Sequence, residues 1–191
     1  NRSLEEVPLY DMTGGEHTLG TEVNSNCHIV FGNDRNSSKA SGKGGQGFTQ
    51  CGKIDIVVGL NGAEPPTNKK KNPNFFLDSA RIYISQKSDV DKYFGLAEGS
   101  EIVSADNKSA IGIKADHVRI IGRNHIKIVT GAARMNAEEK DSTGEPITTA
   151  GRIDLIAGNS VNNDIFGSSL QPLVKGDNII DFFNDLIEEI S

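Results

Sequence analysis

A few groups of side chains in this sequence could do chemistry. His117 and His125 lie eight residues apart, and imidazoles gathered around a symmetry axis can hold a transition metal. Aspartates recur at Asp55, Asp89, Asp91, Asp116 and Asp154. Two carboxylates set across a glycosidic bond would equip a glycoside hydrolase. Gly42-Lys43-Gly44-Gly45-Gln46-Gly47 surrounds a lysine with glycine, as phosphate-cradling loops do. Cys27 and Cys51 are the only thiols, too few for a disulfide framework or a zinc site of their own.

Each group also has a plainer reading, which the spacing favours. No apolar strand leads into the glycine run and no Ser or Thr follows its lysine, so a turning loop is expected there. Each histidine precedes an apolar run, the place of a solvated corner. Asp55 and Asp154 sit within Ile54-Asp55-Ile56 and Ile153-Asp154-Leu155. Alternation along a strand sends the aliphatics to one face and the aspartate to the other. Ile54, Ile56, Ile153 and Leu155 are therefore expected in a core, with both aspartates pointing away. The cysteines are expected to be dispensable for folding. No Ser-His-Asp or Cys-His arrangement is legible, and no catalytic, cofactor-binding or metal-ligating residue is assigned.

The elements that would position these residues are short, repeated strands. Gly52-Lys53-Ile54-Asp55-Ile56-Val57-Val58-Gly59 returns as Gly151-Arg152-Ile153-Asp154-Leu155-Ile156-Ala157-Gly158, and equivalent environments are expected for the two. Between them run octads: Ala110–His117, Val118–His125 and Ile126–Ala133. Places one and three hold Ala110 and Gly112, then Val118 and Ile120, then Ile126 and Ile128. A break in alternation at the fourth place (Ile113, Ile121, Val129) implies a corner after each short strand, the pattern of β-helices and solenoids. So few octads cannot enclose a core in one chain. An intertwined trimer, each chain supplying one face, is favoured over a single-chain solenoid, because stacked repeats must bury their apolar faces on neighbours.

The organisation expected is a Gly/Asn/Ser-rich β or loop region over 1–50, a repetitive β region over 51–160 with polar insertions at 85–109 and 134–150, and a linker with a C-terminal helix over 161–191. In that last stretch Ile179, Phe182, Phe183, Leu186, Ile187 and Ile190 recur with helical period after Asp177, a plausible helix start. Ile179, Phe183, Leu186 and Ile190 follow the spacing of a coiled-coil seam, or of an amphipathic helix docked on a sheet. The fold class is thus mainly β, with short-strand β-helix or β-prism-like elements intertwined in a trimer and a C-terminal α-helix.

Bulk properties limit the function. The 191 residues carry a net charge of −6, against a general nucleic-acid binder, which usually shows a basic face. Lys69-Lys70-Lys71 is the only basic run and reads as a solvated loop. No run reaches the ~18 apolar residues of a membrane span, so no stable membrane insertion is expected. No secretory signal is legible, and the first residue is Asn1, as in a processed or partial chain.

The octads "AIGIKADHVRIIGRNHIKIVTG" resemble the triple-stranded β-helices of contractile-tail spikes and phage fibres. The pair "GKIDIVVGLNG" and "GRIDLIAGN", with "LQPLVKGDNIIDFFNDLIEEI", is similar to virion proteins of tailed bacteriophages that end in a Leu-Val-x-Gly-Asp segment and a helix. The strict valine-glycine octad of membrane-piercing spikes is not kept, which favours a decorated spike, collar or fibre element over a piercing tip. The resemblance implies a non-enzymatic, cofactor-free homotrimer on the tail, baseplate or neck of a virion, assembled in the host cytoplasm. Its partners would be copies of itself, other virion proteins and a host cell-surface glycan. The alternatives are a polysaccharide-cleaving tailspike enzyme and a bacterial β-solenoid adhesin.

Overall fold

The computed structural model describes residues 7–20, 26–35, 51–62, 70–97, 108–131, 139–156, 158–159 and 176–190. The glycine run at 42–47 and the Leu-Val-x-Gly-Asp segment up to Lys175 lie outside the described residues.

The chain is mainly β, with a C-terminal helix. Its centre is a five-stranded antiparallel sheet. In spatial order the strands are β2 (Glu16–Leu19), β3 (Cys27–Asn33), β4 (Gly52–Val58), β6 (Ala80–Ser88) and β7 (Lys108–Lys114). Each strand neighbours the next long one in the chain, so the sheet is a meander that does not close on itself. It joins strands from both sides of residue 50. A two-residue parallel ribbon, β1 (Leu9–Tyr10) with β5 (Lys70–Lys71), and a single helical turn, α1 (Val90–Phe94), complete this part. The stretch 85–109, expected as an inserted loop, thus contains the end of β6, α1 and the start of β7. The octad Ala110–His117 is β7 and its exit, not a free-standing repeat.

The strands form where Ile, Val, Phe and Tyr alternate with other residues, the composition that suits a pleated surface. The register aligns the side chains in rows. On one face, Leu19, Ile29, Ile56, Ile82 and Ile113 are cross-strand neighbours, and beside them run His17, Phe31, Ile54, Ile84 and Ile111. On the other face, one row is Thr18, Val30, Asp55, Tyr83 and Gly112, and another is Glu16, Gly32, Lys53, Ser85 and Ala110.

The chain covers the second face, the one that carries the charges. Tyr10, Val30, Val57 and Leu60 make one buried cluster there. Phe75, Tyr83 and Tyr93 make another, with Phe94 packed against it. The Phe75 ring stacks on Tyr93 at 5.3 Å and meets Tyr83 edge-on at 5.0 Å. Gly112 is what lets α1 dock. A Cβ at that position would lie 2.5 Å from the Phe94 ring, well inside contact distance.

The expectation that Asp55 points away from the core is corrected. Period-two alternation holds, but Asp55 is fully buried, while Ile54 is 46% exposed and Ile56 half-buried. The reason is a specific partner, Arg81, held beneath the aromatic layer (next subsection). The paired segments are also not equivalent: 52–58 is a central strand, whereas 151–156 forms no strand and Asp154, Ile153 and Leu155 are exposed.

Beyond β7 the architecture changes. Residues 115–131 run without regular secondary structure. Residues 139–147 form a tight hairpin turn, with a bridge between Lys140 and Pro146 and Asp141 accepting from Thr143 and Glu145 N–H groups. This turn folds back onto the start of β7, where Lys108 pairs with Asp141 at 2.7 Å and Ser109 N–H donates to Ser142 Oγ at 2.8 Å. Asn159 likewise bonds Ala97 N–H and Gly95 C=O beside α1. The last element is α2 (Gly176–Ile190), which places Asp177 inside its first turn.

Candidate functional site

Two features of the described residues stand out: an ion network sealed beneath the sheet and an apolar surface left open above it.

The network begins at Glu16, whose side chain is fully buried. It accepts from Arg35 Nε at 2.7 Å, from Lys53 Nζ at 2.7 Å and from the Thr13 N–H at 2.9 Å. Burial alone would raise its pKa, but the hydrogen bonds from Arg35 and Lys53 prevail and hold it at about 2. The second centre is Arg81, also fully buried. Its Nε donates to Asp55 at 2.8 Å, its NH2 completes a bidentate pair with the same carboxylate, and NH1 reaches Asp78 at 3.4 Å. The guanidinium lies 3.8 Å from the Phe75 ring centroid, within cation–π range. The third centre is Asp34, which accepts from Tyr83 Oη at 2.6 Å and Ser85 Oγ at 2.7 Å. Burial raises Tyr83 and Tyr10, keeping both phenols protonated.

These carboxylates are arranged as structural anchors. Glu16, Asp55 and Asp78 each meet a buried cation, and Asp34 holds two buried hydroxyls. Asp55 and Asp154 are not brought together; Asp89 is buried, while Asp91, Asp116 and Asp154 lie on the surface. His117 and His125 are exposed, and no group of three or more metal-ligating side chains occurs among the described residues. Cys27 and Cys51 are free thiols, the first exposed and the second buried. His28 is different again: it is buried against Tyr10, and neither ring nitrogen has a hydrogen-bond partner. Burial depresses its pKa and keeps it neutral.

The open face is the larger feature. Nine of the ten positions in its two cross-strand rows are apolar, the exception being His17, which stacks on Phe31 at 5.6 Å. Eight of those nine are exposed, from 37% at Ile82 and Ile84 to 67% at Ile111. Soluble monomers rarely expose a contiguous apolar patch spanning a whole sheet. The sequence did hold a signal for it: the doublets Ile29-x-Phe31, Ile54-x-Ile56, Ile82-x-Ile84 and Ile111-x-Ile113.

The apolar surface continues past β7. Val118, Ile120, Ile121, Ile126, Ile128 and Val129 are all exposed, Ile120 at 70%. Among the described residues, no backbone group of 115–131 is bonded to another backbone group of the chain. The only hydrogen bond this stretch makes there is from Thr130 Oγ1 to Gly151 O, at 2.8 Å. In α2, Phe182, Phe183, Leu186, Ile187 and Ile190 are exposed too. No helix among the described residues is long and apolar enough to cross a membrane.

The chain matches no protein-family model, no curated protein and no solved structure.

Proposed function

We propose that this protein is a non-enzymatic structural component of a bacteriophage virion, a spike, collar or fibre element that works as a homotrimer. The reading rests above all on residues 115–131. They have no regular secondary structure and are rich in exposed aliphatics, and their backbone makes no bond to the rest of the described chain. Backbone donors and acceptors next to apolar side chains need partners before those side chains can leave water. Two further copies of the same stretch supply both: strands to complete the hydrogen bonds, and matching aliphatics to form a shared core of Val118, Ile120, Ile126 and Ile128. The open face of the sheet is covered by the neighbouring copies in the same assembly. Burying a side chain such as Ile or Leu contributes about 1.5–3 kcal/mol, so three such faces outweigh the cost of association.

A stiff trimeric rod displays loops or transmits force at a cell surface, and its chemistry is mechanical. The buried carboxylates fit this reading, since each is committed to a structural bond. Mass measurement under native conditions tests the oligomeric part. A trimer is expected, and a monomer at micromolar concentration would end the proposal. The virion part is tested by searching purified phage particles for the chain. Its absence from particles, with the trimer intact, would leave a cellular rod such as an adhesin.

A further inference from the structure

The chain between Gly131 and Gly151, which includes the hairpin at 139–147, interrupts a repeat that then resumes in phase. We infer that the stretch beginning at Ile153 is a fourth octad of the trimer core, and that the residues between Gly131 and Gly151 are a side insertion spliced between the sixth and seventh places of the third. The inference rests on the trimer proposed above and specifies which further residues of each chain meet the other two copies.

Three independent observations carry it. The first is the sequence frame. Ile126-Lys127-Ile128-Val129-Thr130-Gly131 and Ile153-Asp154-Leu155-Ile156-Ala157-Gly158 place an aliphatic at places one, three and four, a charge at place two and glycine at place six. The second is backbone geometry. The chain bends at Asp116, at Arg123 and Asn124, at Gly131 and at Gly158, always at place six or seven of its octad. Gly131 and Gly158 share a positive φ, 92° and 76°, a region that side chains with a Cβ rarely enter. The same corner is therefore built twice at the same phase.

The third observation is the junction. Counting back from Ile153, Gly151 is place seven, the position due to follow Gly131. Thr130 Oγ1 donates to Gly151 O at 2.8 Å, and a Cβ on Gly151 would lie 3.6 Å from Thr130 Cβ. The two ends of the loop are thus pinned together at its neck. The chain leaves the frame and re-enters it at the same point. Meanwhile the loop's tip is held on Lys108 and Ser109, away from that neck. Ile153, Leu155 and Ile156 are exposed or nearly so in the single chain, at 52%, 69% and 39%, like their counterparts Ile126, Ile128 and Val129.

Two variants of the full chain test this. In the first, residues 132–150 are deleted so that Gly131 joins Gly151. The trimer is expected to persist, because the octads become continuous. In the second, Leu155→Asp places three charges at a core position, and loss of the trimer at micromolar concentration is expected; Asp154→Ala, at the outward place two, should leave the mass and the melting curve unchanged. A wild-type monomer would sink the trimer itself. If the wild type is a trimer but Leu155→Asp melts with it, or the deletion variant dissociates, the fourth octad is wrong and the trimer stands without it.

Discussion

Residues 7–97 with β7, and residues 115–156, solve the same problem in opposite ways. The first region pairs its buried charges within the chain. Glu16, Lys53, Asp55 and Arg81 lie under the sheet, each in contact with an opposite charge, and aromatic rings close over Arg81. The second region, outside its hairpin at 139–147, makes few hydrogen bonds among the described residues. Its aliphatics face water and, over 115–131, its backbone lacks in-chain backbone partners among the described residues. The sheet belongs to both, since one of its faces is finished internally and the other is an apolar surface. The difference teaches where specificity is placed. Directional contacts fix the fold of the chain, and in the proposed trimer the non-directional apolar surface joins the copies.

The largest effect expected from this contrast is at Ile120. Ile120→Asp should remove the trimer altogether, because three unpaired charges would meet at one axis. Hydrogen exchange at Ile54 to Val57 should stay slow in the resulting species, since the sheet's own ladder is unaffected. A trimer of normal mass would show that place three does not face the axis.

The mirror-image test is Arg81→Ala. It strands Asp55 and Asp78 in the interior, and removing one partner of a buried pair costs about 3–5 kcal/mol. Urea unfolding monitored at the sheet should record that loss. A loss below ~1 kcal/mol, the range of exposed pairs, would mean that the network is solvated. Asp55→Asn should be destabilising as well, contrary to what an outward-facing aspartate would give.

A smaller effect is expected at Gly112. Valine there would push into the Phe94 ring, and such overpacking costs about 1–3 kcal/mol. It should lower the melting temperature of the sheet while leaving the trimer mass intact. Dissociation instead would mean that the seat of α1 is coupled to assembly.

Acid should act on two buried groups of the internally finished region, and gently at first. His28 is buried neutral with a depressed pKa, so the unfolded chain takes up a proton below about 6.5 that the folded one refuses, and stability falls from there. Glu16 follows. Its folded pKa of about 2 lies below the ordinary value of 4.5, so its contribution is complete above that value and is lost as pH falls towards 2. His28→Phe should remove the first step and Glu16→Gln the second. A stability profile flat from pH 7 to pH 3 in the wild type, over the range where both groups titrate, would contradict both assignments.

The sequence made some of this legible. Helical period in 179–190 located α2, alternation in Ile54-Asp55-Ile56 located β4, and the first octad fell on β7. What it could not show was which face of the sheet the chain would cover. Ile54-Asp55-Ile56 fits an apolar core with an outward aspartate as well as it fits an ion core with outward isoleucines. The deciding residue, Arg81, lies 26 positions away, and Glu16 meets Arg35 and Lys53 across separations of 19 and 37. Pairs that distant leave no local spacing to read. The octads were visible, but the inferred fourth was hidden by the insertion that interrupts the third.

The proposed trimeric rod has to avoid misaligned repeats. Identical short repeats can align with one another in several ways, and three strands shifted by a whole octad would still match aliphatic to aliphatic. Here β7 runs straight into the first free octad with no linker, Lys114 being the last residue of the strand and Val118 the first of the repeat. A chain sliding by eight residues would have to drag its edge strand out of the sheet or stretch a connection only three residues long. In the proposed trimer the sheets therefore act as a common starting line: once three of them meet, every later turn can be counted from only one origin.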